Sequence, residues 1–179
     1  MLLWEFWEWY SMIPQSVYIF LLIELVAVSY LDILHRKVSN LWPILNLLIF
    51  VIVVTIVPDV YKFELKQFFY SIAFLIVGFS LFLLKVMGPG DTKFLFSFFI
   101  LIPVSQHETA FLGLLYLTIL MGSSLFLYNS YQNRKKISEA IKQSDISAIK
   151  EIYGTKFPYA PVILLSWIWF GWVNRVALF

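Results

Sequence analysis

The chain has 179 residues, of which 61% are hydrophobic, 20% aromatic and only 13% charged, and its mean hydropathy is +0.83. A soluble domain of this size could not hide so much apolar surface, so the composition predicts an all-α, polytopic membrane protein. A net charge of +2 argues against nucleic acid as a partner, since phosphate binding needs clustered cations, and the lack of cysteine excludes disulfides, thiolate catalysis and a cysteine-ligated zinc site.

In chain order, Met1–Ile13 has no basic n-region and carries Glu5 and Glu8 among Trp4, Trp7 and Trp9. It reads as an interfacial lead-in rather than a cleavable signal peptide. The apolar runs that follow are Val17–Leu34, Leu41–Val57, Phe68–Leu84, the short Phe94–Pro103, Thr109–Tyr128 and Tyr159–Val176. A crossing takes about 20 helical residues, so these runs predict about six transmembrane helices in a single membrane-embedded domain over 1–179. A polar segment, about 129–158, separates the last two. Within it Ser144 and Asp145 could cap an amphipathic helix carrying Ile146, Ile149 and Ile152 on one face, lying on anionic lipid.

The basic residues set the orientation. Arg36, Lys37, Lys85, Lys93, Arg134, Lys135, Lys136, Lys142, Lys150 and Lys156 fall on one set of loops, against Lys62, Lys66 and Arg175 on the other. The first set is expected to be cytoplasmic, with both termini outside. That brings Asp32, at the end of the first run, and Asp91, before the fourth, to the same face and a similar depth.

Asp91 stands in Gly88-Pro89-Gly90-Asp91-Thr92-Lys93, which interrupts two apolar runs. Glycine and proline there break the arriving helix, and an ionisable residue bordering a span is a functional candidate. Two carboxylates at one depth in a partly desolvated site can share a proton, one as base and the other as acid, which suits peptide hydrolysis without metal or cofactor. The alternative is that each aspartate only marks a helix end.

The Gly88–Lys93 stretch resembles the Gly-x-Gly-Asp-x-Lys motif of the type IV prepilin peptidases and their archaeal preflagellin relatives. Asp32-Ile33-Leu34-His35-Arg36-Lys37-Val38-Ser39-Asn40 resembles the first aspartate motif of that family, with Arg36 and Asn40 matching, Val38 standing for Ile and Ser39 replacing the usual Pro. Phe157-Pro158-Tyr159-Ala160-Pro161 resembles the family's proline-aromatic-small-proline approach to the last span. The resemblance implies an aspartic endopeptidase of the prokaryotic cell membrane with Asp32 and Asp91 as the catalytic pair. Gly88, Gly90, Lys93, Arg36 and Asn40 would support it, with no metal and no cofactor. Its partner would be a membrane-inserted prepilin-like precursor, cut on the cytoplasmic side after a short basic leader. With no cysteine, the chain is similar to the short, peptidase-only form, and methylation is not expected. The alternatives are a preflagellin peptidase with the same chemistry, or a non-catalytic assembly factor or transporter.

Other polar residues carry blander expectations. Glu24 lies two helical turns before Asp32 and either lines the same cavity or bonds a neighbouring helix through Asn46. Lys93 either tunes Asp91 or contacts substrate, or is only a positive-inside anchor, and Arg36 and Lys37 read similarly. Ser105, His107 and Glu108 share one tight loop in which a relayed triad geometry is not readily formed.

Overall fold

A computed structural model describes residues 13–83, 87–142 and 158–178, and among them the regular structure is helical throughout. In chain order the helices are α1 (Gln15–His35), α2 (Leu41–Ile56), α3 (Leu65–Leu83), α4 (Pro89–Ile100), α5 (His107–Gln132), α6 (Arg134–Lys142), α7 (Ala160–Val173) and α8 (Arg175–Leu178), with a 3-10 turn at Val104–Gln106. The expected interfacial lead-in, Lys85, and the amphipathic helix from Ser144 onward lie outside the described residues.

Helix α1, helix α3 and the stretch Val104–Gln132 are long and apolar enough to cross a membrane. Helices α2 and α7 are apolar but shorter, at 16 and 14 residues. Their outward faces are hydrocarbon-compatible: Ile23, Leu48, Ile76, Ile119 and Trp172 are all exposed. Helix α5 has 26 residues, about 39 Å at 1.5 Å per residue, and so outreaches a hydrocarbon core of about 30 Å.

The fourth apolar run folds differently from expectation. Its helix begins at Pro89 rather than Phe94, and it ends at Ile100. The Gly-Pro-Gly-Asp stretch is therefore not only a breaker. Gly88 is the N-cap in extended backbone, Pro89 takes the first helical position, where its missing N–H costs nothing, and Asp91 takes the third. The same residues stop one helix and start the next.

Helix α4 is also the centre of the bundle. Phe94, Leu95, Phe98, Phe99 and Ile100 are buried, and α4 packs between α3 and α2 while α7 packs between α1 and α5. Trp167 of α7 ties the two groups together. It stacks on Tyr18 of α1 at 5.2 Å, meets Phe98 of α4 edge-on at 5.1 Å, and donates its indole N–H to the Tyr18 carbonyl at 3.2 Å.

A helix that ends inside a bundle leaves carbonyls without intrahelical partners. At the end of α4 side chains from elsewhere supply donors. Gln67 donates to the carbonyls of Ile100 (2.8 Å) and Ile102 (2.7 Å), Tyr61 to Leu101 (2.7 Å), and His107 Nε2 to Ile102 (2.8 Å) and Phe99 (3.2 Å). His107 is thus a buried helix-end donor, while Ser105 and Glu108 are exposed. Burial pushes the Tyr61 phenol, in the loop between α2 and α3, well above its ordinary range.

The polar segment expected over 129–158 begins as helix. Helix α5 runs on to Gln132 and α6 follows at once, with Lys135, Lys136, Ser138 and Glu139 exposed and Ala140 buried.

Candidate functional site

Asp32 lies in the last turn of α1 and is only 3% exposed. Its Oδ2 accepts the backbone N–H of Ala160 at 3.1 Å. Ala160 is the first residue of α7, so the carboxylate takes an N–H that the helix itself cannot use, at the end where the helix dipole favours negative charge. After Asp32 the chain reverses at Arg36, which has φ 50° and ψ 38° and donates its N–H to the Asp32 carbonyl at 2.8 Å. Arg36 contributes this left-handed backbone turn at an exposed position.

The second aspartate is held in the same way. Asp91 Oδ2 accepts the Gly88 N–H at 3.2 Å, one half of a capping box. A Cβ on Gly88 would stand 2.8 Å from that oxygen, so a larger residue there would make the Asp91 carboxylate shift. A Cβ on Gly90 would fall 2.6 Å from the carbonyl oxygen of Val38. That close approach joins the two motif stretches, which are remote in sequence. Lys93 adds a second link, its Nζ donating to Asn40 Oδ1 at 3.2 Å. Of the residues singled out in the sequence, the structure therefore brings Gly90, Lys93 and Asn40 together, with Val38 between them. Lys37 is exposed on the same loop.

Between α3 and α5 lies a cavity of about 690 Å³, closed at one side by α4 and the start of α7. Phe74, Val77, Leu81, Phe111, Leu115 and Met121 make most of its wall apolar, and the side chains with polar groups that line it are Tyr70, Asp91, Thr118 and Tyr159. The Tyr159 hydroxyl lies 2.9 Å from Thr118 Oγ1, which in turn donates to the Leu114 carbonyl at 2.7 Å.

Asp32 is not among the residues that line the cavity. The Tyr159–Ala160 dipeptide adjoins both parts of the site: the Ala160 N–H holds Asp32, and Tyr159 lines the cavity together with Asp91. Sequence reasoning picked out Phe157–Pro161 as a pattern without giving Tyr159 or Ala160 a role, and it missed Thr118. Pro161 was the available signal, because proline early in a helix marks the N-terminus whose free N–H groups attract a carboxylate.

Glu24 is buried on the same face of α1, eight residues before Asp32 and therefore about 12 Å away along the axis. It does not line the cavity. It lies near Asn46 of α2, but the expected bond between them is not made: neither Glu24 carboxylate oxygen has a hydrogen-bond partner, and Asn46 Nδ2 donates instead to Ser97 of α4 at 3.3 Å. Among the described residues no group of three or more His, Asp or Glu side chains is placed to hold a metal ion.

No protein-family profile, no curated protein and no solved structure matches this chain.

Proposed function

We propose that this protein is a membrane-embedded aspartic endopeptidase that cleaves the leader of type IV prepilin-like precursors at the cytoplasmic face. The chain would cross the membrane about six times, with both termini outside and the polar segment after α5 in the cytoplasm. The observation that carries the reading is the meeting of the two aspartate motifs, through Gly90 against Val38 and Lys93 against Asn40. Two motifs far apart in sequence gain nothing from such proximity unless they act together or pack for stability alone.

In this reading one aspartate is ionised and takes a proton from water as the water attacks the scissile carbonyl. The other is neutral and protonates the carbonyl oxygen. The backbone N–H bonds hold each carboxylate in place, and Asp91 faces the apolar cavity in which a substrate segment would lie.

A second reading has its own support. Each aspartate accepts a backbone N–H at the start of a helix, and helix capping alone would justify both residues in a non-catalytic assembly factor or transporter.

Asparagine separates the two. It keeps the acceptor oxygen and the cap but cannot exchange the proton. Asp32→Asn and Asp91→Asn should each abolish conversion of an epitope-tagged prepilin, or of a tagged preflagellin, at wild-type expression. The double variant should be no worse than either single one, because residues acting as a unit are not additive. Normal processing by either single variant would leave the capping reading in front.

A further inference from the structure

We infer that Tyr159 is a catalytic residue that donates a hydrogen bond to the scissile carbonyl oxygen, with its proton resting on Thr118 until substrate arrives. The inference rests on the peptidase reading and adds a third group to the two aspartates.

Hydrogen-bond accounting fixes the direction of the resting contact. A threonine hydroxyl has one hydrogen. That of Thr118 is spent on the Leu114 carbonyl at 2.7 Å, a back-bond to the preceding turn of α5. In the 2.9 Å contact between Thr118 Oγ1 and the Tyr159 hydroxyl, the donor is therefore Tyr159. Its acceptor is a neutral hydroxyl oxygen, which a carbonyl oxygen gaining negative charge outcompetes.

Position gives the phenol its target. Tyr159 and Asp91 line the same cavity, and Tyr159 directly precedes the residue whose N–H holds Asp32. A peptide lying in the cavity against Asp91 shares its wall with this hydroxyl. The aspartates' own backbone donors cannot take the role, since the Gly88 and Ala160 N–H groups are engaged on carboxylate oxygens. Turning the O–H about its C–O bond presents the proton to a new acceptor without moving the ring.

The step balances without a proton leaving Tyr159. The water oxygen bonds to the carbonyl carbon as its proton passes to the ionised aspartate. The carbonyl π pair moves onto oxygen, which takes the proton of the neutral aspartic acid while held by the phenol. When the C–N bond breaks, the nitrogen takes the proton held by the first aspartate, the carbonyl re-forms, and one hydroxyl of the diol gives its proton to the second, which restores the starting pair.

The competing explanation is a bolt between α5 and α7, and the test separates the two. Tyr159→Phe and Thr118→Val both delete the Tyr159–Thr118 bond, but only Tyr159→Phe deletes the donor. Full-length protein and an epitope-tagged prepilin are reconstituted together in vesicles, and kcat, KM and the unfolding midpoint are measured for each variant. Tyr159→Phe should lower kcat by about 100- to 1,000-fold, the effect of losing one oxyanion donor, with KM within about twofold. Thr118→Val should lower kcat by no more than about tenfold, the worth of one neutral hydrogen bond. Equal losses in the two variants, a loss confined to KM, or wild-type kcat in Tyr159→Phe would overturn the inference. Wild type and Asp91→Asn run alongside: a wild type that does not cleave refutes the peptidase reading itself, whereas cleavage by both wild type and Tyr159→Phe removes only the role of Tyr159.

Discussion

At the scale of single residues, the contact that matters most for the site is made by an atom that is missing. Gly90 lets the turn before α4 lie on the backbone of Val38, and any Cβ there would meet a carbonyl oxygen at 2.6 Å. A backbone atom cannot rotate away as a long side chain can, so Gly90→Ala must push the two motif stretches apart. Inserting a methyl group into a filled space costs about 1–3 kcal/mol, which the bundle can absorb. Misplacing a catalytic carboxyl by about 1 Å can cost roughly 100-fold in rate. On the peptidase reading, Gly90→Ala should therefore accumulate and insert but cleave a tagged prepilin about 100-fold more slowly. Gly122→Ala, whose Cβ would meet nothing within 4 Å, provides the stability control. Alanine there should hold or raise the unfolding midpoint in detergent, since glycine inside a helix costs about 0.5–1 kcal/mol relative to alanine. Wild-type cleavage by Gly90→Ala would show that the contact with Val38 does not position Asp91.

At the scale of elements, α4 has an anchored beginning and an anchored end. Its N-terminus is set by Gly88, Pro89 and Asp91, and its C-terminal carbonyls are taken by Tyr61, Gln67 and His107. With 12 residues it is the shortest of the helices that pack the core, and these ends fix the height at which Asp91 stands. The Tyr61 bond offers a test by pH. Burial raises the phenol's pKa in the folded protein, whereas the unfolded chain titrates near the ordinary value of about 10. The folded state thus keeps a proton that the unfolded state releases. The stability contributed by neutral Tyr61 is complete below about pH 10 and is lost as pH rises beyond it. Tyr61→Phe should cost about 1–3 kcal/mol near neutral pH by leaving the buried Leu101 carbonyl without its donor. Above about pH 10 the difference between wild type and variant should shrink, because only wild type has this phenol to ionise. Chemical denaturation in detergent at several pH values measures both. A gap that widens with alkaline pH would contradict the assignment.

At the scale of the whole molecule, the open question of most consequence for the peptidase reading is which side of the membrane the site faces. The basic residues of α6, Arg134, Lys135, Lys136 and Lys142, lie on the segment that follows α5. Positive loops are retained in the cytoplasm, and a cytoplasmic α6 implies the same face for the turn at Asp91 if the chain crosses between them an even number of times. Ser138 is exposed on α6, and the chain has no native cysteine, so Ser138→Cys gives a single reporter. It should escape a membrane-impermeant thiol reagent in intact cells and react once the membrane is opened. Reaction in intact cells would reverse the orientation and separate the site from cytoplasmic leaders.

The sequence by itself determined the helical class, the positions of the long apolar helices and the two aspartate stretches. These are local properties: hydropathy summed over a window, proline and glycine at a boundary, and charge bordering an apolar run. The helix boundaries within Gly88–Lys93 were less legible, because the residues that end one helix also start another, and only the bond from the Gly88 N–H to Asp91 decides where. What tertiary structure alone decided is contact between distant segments. That Gly90 needs to be glycine because of Val38, that Lys93 reaches Asn40, and that Asp32 is held by Ala160 across 128 positions of chain are facts of packing. The same holds for His107, which resembles a catalytic residue beside Ser105 and Glu108 in the sequence but is spent on the carbonyls that end α4. No window of sequence contains both partners of such a contact, and the energy that selects it comes from burying the α1, α4 and α7 faces together.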